Sequence, residues 1–301
     1  MANRYLLSFC NNYGRLRLAI LSPHEVERVI DLGENFFSFA PHGTGGMALD
    51  GDSLFLVLQS TKLAVIGVFD RQFVLHSEIE APGAVDLHGI LPRGDDLLLV
   101  SSGTNELLSV DRGISKQPSP AQPRVVWTDR GPLRDRDHLN DLQQTPDGRV
   151  LMSSFGPARP DGMRCGTVIE VETRSVLIDG LREPHSLWWW DSHLYVLESV
   201  TGDLVRMHPG AQPERVLGIV GYARGLAIDS DYIAIGKSGY RERSRSRLGD
   251  NRSAPLAIPT AGVDLVGYSG VCFISQRDGA VSWVETTNCG SEIYQILPLT
   301  D

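Results

Sequence analysis

The sequence predicts an all-β protein, a six-bladed β-propeller formed by residues 1–301 as a single domain, and three observations predict it. Helical periodicity is nearly absent. Short apolar runs separated by D-G, S-G, T-G and P-D-G turns recur along the whole chain. The runs also fall into units of roughly 40 to 50 residues with about four strands each, which is the spacing of propeller blades.

Each unit opens on a polar or small residue, then a second small or polar one, then an apolar one: Gly45-Gly46-Met47, His88-Gly89-Ile90, Asn140-Asp141-Leu142, His185-Ser186-Leu187 and Arg224-Gly225-Leu226. The first members are 43, 52, 45 and 39 residues apart. A second strand follows in each unit, as SLFLVLQ (53–59), DLLLVSS (96–102), RVLMSSF (149–155), HLYVLES (193–199) and YIAIGKS (232–238). The sixth blade is expected to be shared between the ends of the chain. SEIYQILPL (291–299) would supply its inner strand, and RYLLSFC, RLRLAIL and VERVIDL near the start would complete it. Such closure removes the free sheet edge. A seventh blade around residues 262–285 is the alternative; otherwise GVCFISQ and VSWVET are the outer strands of the blade begun at Arg224.

At 42% hydrophobic and 22% charged with 31 glycines, the composition is that of a folded, turn-rich chain. The net charge of -9 argues against a general nucleic-acid binder, which would be basic overall. No apolar run resembles a signal peptide or reaches the ~18 residues of a membrane span. A cytoplasmic protein with no nucleic-acid or membrane partner is therefore expected. Cys10, Cys165, Cys272 and Cys289 are scattered without a C-x-x-C pair, so they read as structural thiols.

In a blade the innermost strand begins on the face where the second strand ends, so these loops share one rim. Inner strands would bring His88, Asn140, His185, Arg224 and either Ser291 or Glu292 to the mouth of the central channel. Second strands would add Gln59, Ser102, Asn105, Ser154, Glu198, Lys237, Asn11 and Asn12. The longest connections, 112–137, 155–165 and about 238–270, fall on the same face and carry Arg130, Arg134, Arg136, Arg159, Arg164, Arg241, Arg243, Arg245 and Arg247. In an acidic protein this asymmetry predicts an electropositive mouth and a small anionic ligand. The alternative for RERSRSR (241–247) is a solvated loop paired with Glu242 and Asp250.

His185 beside Glu198 has the makings of a general base oriented by a carboxylate. Arg224, Lys237 and Arg241 would bind a carboxylate or phosphate by charge-assisted hydrogen bonds, while His88 and Asn140 hold the reacting group and Ser154 and Glu292 complete the substrate-binding set. That arrangement suits a lyase, an isomerase or cyclase, or a hydrolase. His88, His185 and Glu198, with Glu292 and Asn140, also supply ligand types for a divalent metal. No local spacing enforces a metal site, and Arg224 and Lys237 would disfavour a cation. The serines after second strands, Ser102, Ser154 and Ser199, lack a nucleophile-elbow context. Trp188, Trp189 and Trp190 alternate in direction and are expected to pack between blades. The competing reading is a non-catalytic ligand-binding or scaffold propeller that holds a protein partner with its arginine-rich loops.

Four stretches carry a resemblance to a known family. HLND (138–141) followed by PDGR, GLREPHSLWWWDSHLYVLESVTGDLVRM (180–207), GYARGLAI (221–228) with GKSGYRE after it, and the terminal GSEIYQILPL resemble the bacterial β-propeller family of domain of unknown function 4915. The resemblance spans roughly residues 85–301 and implies a propeller and its closing strand, but no reaction. The P-H-x-L and L-Y-V-x-E layout of residues 184–198 is also similar to a blade of virginiamycin B lyase, which opens a cyclic ester with a histidine base and magnesium. That likeness implies His185 as the base and Glu198 as its carboxylate. No second blade repeats the pattern, so the implication reaches these two residues alone.

Overall fold

Successive side chains of a strand point to opposite faces, and a blade stacked between two others must be apolar on both. The second strands accordingly read as unbroken apolar runs rather than alternating ones. In Asp96–Ser101, Leu97 and Leu99 pack against the preceding blade, while Leu98 and Val100 pack against the following one.

The computed structural model describes residues 3–12, 16–35, 37–60, 63–112, 122–129, 135–158, 164–239 and 268–299. These residues form six four-stranded antiparallel sheets arranged as a six-bladed β-propeller. The inner strands of blades one to six are Thr44–Asp50, Leu87–Arg93, Leu139–Gln144, Pro184–Trp190, Tyr222–Ile228 and Ile293–Leu299. Each touches the next, and the last touches the first, so the ring is closed. The second strands are Ser53–Leu58, Asp96–Ser101, Val150–Ser154, His193–Glu198, Tyr232–Ser238 and, for blade six, Arg4–Phe9. Blade six is completed by Arg17–Leu21 and Val26–Asp31, as the sequence predicts. Gly270–Ser275 and Val281–Glu285 are the outer strands of blade five, and no seventh blade forms among the described residues.

Six buried apolar clusters lie at the six seams between blades. The seam between blades five and six, for example, packs Phe273, Val271 and Ala234 against Tyr5, Leu7, Phe9 and Ile296. Burying one such large side chain contributes about 1.5–3 kcal/mol. The three tryptophans serve the seams too. Trp189 packs at the seam between blades three and four and Trp190 at that between four and five, while Trp188 donates Nε1–H to the Ile228 carbonyl at 2.9 Å. The turn after them, Asp191-Ser192, has positive φ at both residues, as a two-residue hairpin requires. None of the four cysteines forms a disulfide.

One irregularity recurs around the ring. All six pairings of inner with second strand contain a β-bulge near the channel mouth. A bulge re-aims a side chain and bends its strand. It also brings neighbouring inner strands close: a Cβ on Gly46 would lie 2.2 Å from the His88 carbonyl oxygen, and Gly225 sits at φ +87°. Both positions require glycine.

Candidate functional site

The residue at the bulge of each inner strand, in blade order, is Gly45, His88, Asn140, His185, Arg224 and Tyr294. Two residues earlier stand Gly43, Asp86, His138, Glu183, Tyr222 and Glu292, at the entry of each inner strand. Together these two tiers build a cavity of about 380 Å³, bordered by Asp86, His88, His138, Glu183, His185, Tyr222 and Arg224 from the inner strands and by Cys10, Asn11, Gln59, Asp135, Phe155 and Arg164 from neighbouring segments. Rings follow one another around it: Tyr294, His88, His138, Phe155, His185 and Tyr222, with successive centroids 4.4–5.8 Å apart.

His185 is 3% exposed, and its Nδ1 lies 2.6 Å from Ser199 Oγ and 3.1 Å from the Glu183 carbonyl oxygen. Ser199 Oγ is also 2.6 Å from the Ala223 carbonyl, which can only accept. The Ser199 hydroxyl therefore donates to Ala223 and accepts from His185. Nδ1 carries the proton and Nε2 the lone pair. Burial, reinforced by Arg224, His88 and His138, holds the His185 pKa well below the ordinary histidine value, so the ring is neutral.

His88 is likewise kept below its ordinary value by burial, partly offset by Asp86, whose Oδ2 is 3.4 Å from Nε2. Partial desolvation opposes ionisation of the half-exposed Asp86, yet His88, His138 and Arg224 outweigh it and hold the carboxyl well below the usual carboxylate range. His138 Nδ1 lies 2.8 Å from Asp135 Oδ1. Arg224 is 7% exposed; its Nη1 donates to Cys10 Sγ at 3.3 Å and its guanidinium lies 4.2 Å from the Tyr294 ring centre. Burial pushes Tyr294 well above its ordinary value. Asp141, next to Asn140, accepts from the Leu187 amide at 2.8 Å, which ties blade three to blade four, and burial pushes its carboxyl up to about 6.

Three expected site residues do not join this cavity, for one shared reason. Glu198 lies opposite Pro184 in the ladder, Lys237 opposite Ala223 and Ser154 opposite Leu139. All three occupy the same position of the repeat, one residue before the inward-facing one. Glu198 turns along its own blade, where it accepts from the Arg182 amide at 2.8 Å and lies 3.4 Å from Arg215. Burial raises its pKa. Lys237 donates to the Tyr268 carbonyl at 2.9 Å, and Ser154 lies 3.1 Å from Thr167 Oγ1. His185 is thus oriented by Ser199 and the Glu183 carbonyl, not by Glu198.

The residues that follow those three positions, Ser199, Ser238 and Phe155, are the inward ones, with Gln59, Ser102 and Cys10 their equivalents. Ser102, Ser199 and Ser238 donate to the carbonyls of Leu139, Ala223 and Ile293, so they tie each blade to the next one's inner strand. They are staples rather than nucleophiles. Glu292 stands at the entry of blade six, where it accepts from Asn11 Nδ2 at 3.0 Å and Cys10 Sγ at 3.4 Å. Asn140 is 2% exposed and its Nδ2 has no partner among the described residues.

Among the described residues no group of three or more His, Cys, Asp or Glu side chains is suited to hold a metal. His88 and His185 are separated by His138 and Phe155, and Glu198 faces elsewhere, so the expected ligand set does not converge. The electropositive mouth is not found in the described part either. Asp86, Asp135 and Glu183 outnumber Arg164 and Arg224 on the cavity wall. Arg164 spends Nη1 on the carbonyls of Arg136 and Gly156, and Arg136 lies beside Asp137. Arg241 lies outside the described residues, as do Arg130, Arg134, Arg159, Arg243, Arg245 and Arg247.

Asp86, Glu183, Tyr222, Phe155, Cys10 and Tyr294 were not among the expected site residues, while His138, whose place two residues before Asn140 suits it to either the rim or the loop, borders the cavity. The missed signal was a second repeat, a polar or aromatic side chain two residues before five of the six ring residues: D-L-H, H-L-N, E-P-H, Y-A-R and E-I-Y.

Comparison with known structures supports the fold. A protein in a nidogen–laminin complex matches over 99% of this chain and 98% of its own, with TM-score 0.67 and 11% identity. A luciferin-regenerating enzyme matches over 84% of this chain and 78% of its own, with TM-score 0.58 and 13% identity. Virginiamycin B lyase from Staphylococcus aureus matches over 80% of this chain and 69% of its own, but at TM-score 0.48 and 10% identity it says nothing about chemistry here. No curated protein sequence matches the chain. Residues 56–301 match one family throughout, and the chain belongs to it: Domain of unknown function (DUF4915).

Proposed function

We propose that the protein is an enzyme acting at the channel mouth on a small metabolite with an anionic group, which Arg224 binds while His185 transfers a proton. The observation that carries this reading is the fixed, uncharged imidazole of His185. Its Nδ1–H is committed to Ser199 and the Glu183 carbonyl, leaving Nε2 as the basic nitrogen on a ring that borders the cavity. A buried guanidinium on the next blade supplies a strong anion partner. His88 and Asn140, each with a buried nitrogen that has no partner among the described residues, stand on the same tier to hold the reacting group.

In the step envisaged, Nε2 takes a proton from the substrate, and the electron pair left behind expels a leaving group or shifts a double bond. For hydrolysis the proton comes instead from an attacking water. The luciferin-regenerating enzyme is an enzyme on this fold, which supports the general class and no particular reaction.

The test is a thermal-shift screen of the purified protein against small carboxylates and phosphates, followed by turnover assays with the compounds that bind. A ligand of the folded state raises Tm by mass action. The expected result is a shift in the wild type and in His185→Gln, no shift in Arg224→Met, and turnover lost in His185→Gln. Turnover that survives in His185→Gln removes His185 as the base. A normal melt with no shift from any small anion favours a scaffold role instead.

A further inference from the structure

The carboxylates on the cavity wall differ in depth and in what they hold: Glu183 is 7% exposed and accepts from Tyr222 Oη at 3.0 Å, whereas Asp86 and Asp135 lie nearer solvent. Arg224 lies at the bulge tier of blade five and is 7% exposed. Asp86 and Asp135 stand before the inner strands of blades two and three, and their side chains are 50% and 47% exposed. In a closed ring of six, blades two and five face each other. Asp86 feels the charge of Arg224, yet the two form no ion pair. Asp86 leans on His88 at 3.4 Å, while Arg224 holds Cys10 Sγ and stacks on Tyr294. A deep cation thus faces a shallow pair of carboxylates with the cavity between them.

An independent feature marks the same place as a ligand site. His88 Nδ1, Asn140 Nδ2 and Arg224 Nε are buried polar atoms with no hydrogen-bond partner among the described residues. They belong to the bulge residues of blades two, three and five, and His88 and Arg224 border the cavity. Buried polar groups are normally satisfied, and three exceptions on one tier indicate a polar occupant. The cavity volume is that of a small-molecule site.

We propose that the ligand is a small zwitterion, with its carboxylate on Arg224 and its ammonium group at Asp86 and Asp135. This rests on the reading of Arg224 as the anion site and adds the second charge. A simple anion would satisfy the guanidinium and leave the carboxylates facing apolar substituents. A dianion would bring its second charge against Asp86 and Asp135.

Isothermal titration of the full chain with three matched series tests it: ω-amino acids from glycine to 6-aminohexanoate, the alkanoates of the same lengths, and the corresponding dicarboxylates. The expected result is one amino acid length that binds at least tenfold more tightly than its alkanoate, with the dicarboxylate weakest. Asp86→Asn and Asp135→Asn should each reduce that preference and leave alkanoate binding unchanged, and Arg224→Met should abolish binding of all three series. Alkanoates or dicarboxylates that equal the amino acids overturn the zwitterion while the anion site stands. If no series binds, the anion site falls, and the zwitterion with it.

Discussion

The seams between blades and the ring at the channel mouth are built from the same repeat, yet they diverge in what they conserve from blade to blade. At every seam the repeat supplies interchangeable apolar side chains: Leu54 and Leu56 at one, Leu97 and Leu99 at the next, Leu194 and Val196 further round. At the ring, six equivalent positions carry five residue types: glycine, histidine twice, asparagine, arginine and tyrosine. Packing asks only for volume and apolarity, so its positions are degenerate. A site that must present a base, a cation and hydrogen-bonding groups to one ligand cannot repeat itself.

The largest effect should come from a seam. Phe273→Ala removes a fully buried ring between blades five and six and should destabilise by about 3–5 kcal/mol, read from denaturant unfolding. Ring variants should leave stability within about 1 kcal/mol. If they cost as much as Phe273→Ala, the ring is structural and the contrast is lost.

Arg224→Met comes next and separates the two regions in the opposite sense. Replacing a buried charge by an apolar side chain of similar length is often neutral or stabilising, whereas losing it from a ligand's anion site should cost about 2–5 kcal/mol of binding. The expected pair of results is an unchanged or higher Tm and a lost ligand-induced shift. A lower Tm with ligand binding intact would make Arg224 a structural residue.

In the acid range stability should depend on pH through the ring and not through the seams. His88 and His185 have folded pKa values below the ~6.5 of an unfolded histidine. As pH falls below about 6.5 the unfolded chain binds protons that the folded protein refuses. Stability is therefore full above that pH and declines below it, by up to ~1.4 kcal/mol per pH unit for each proton. Asp141, pushed up to about 6, acts in reverse. Between about pH 4 and 6 the folded protein keeps a proton that the unfolded chain releases, so part of the loss is recovered there. The fall should be clearest between pH 6.5 and 6, and His185→Gln should flatten it in a Tm series.

The serine staples sharpen the comparison further, since Ser102 and Ser199 occupy the same position and both tie their blade to the next. Each Ser→Ala change should cost about 1 kcal/mol. Only Ser199→Ala should alter the nitrogen-15 chemical shifts of His185, because Ser199, unlike Ser102, is bonded to its Nδ1. Equal spectra in the two variants would mean that the Glu183 carbonyl suffices.

How much of this the sequence revealed follows from what each signal measures. Apolar runs and turn spacing gave six blades, the shared closing blade and the bulge residues His88, Asn140, His185 and Arg224, because seam burial and strand length are written directly in hydrophobicity. Side-chain direction at the end of the second strand is set by register, and a slip of one residue sends every side chain to the other face. Ser154, Glu198 and Lys237 were chosen where Phe155, Ser199 and Ser238 point inward. Tyr294 was missed for a related reason: no apolar pattern shows where a bulge begins, and Ser291 and Glu292 were placed at the position Tyr294 fills.

Glu198 supplies the smallest effect and the closest test of that slip. A carboxylate that oriented His185 would, when made neutral, cost much of the turnover and shift the acid limb of its pH profile. Here the carboxylate accepts from the Arg182 amide and pairs with Arg215, a half-exposed arginine. An amide at position 198 can still accept from Arg182, it removes a charge that burial already opposes, and Arg215 keeps Asp203 at 3.3 Å. Glu198→Gln should therefore leave turnover within about twofold of wild type, keep the pH profile in place and change stability by less than about 1 kcal/mol. A profile displaced in Glu198→Gln and unmoved in Ser199→Ala would return the orienting role to the carboxylate and reverse the assignment made from the register.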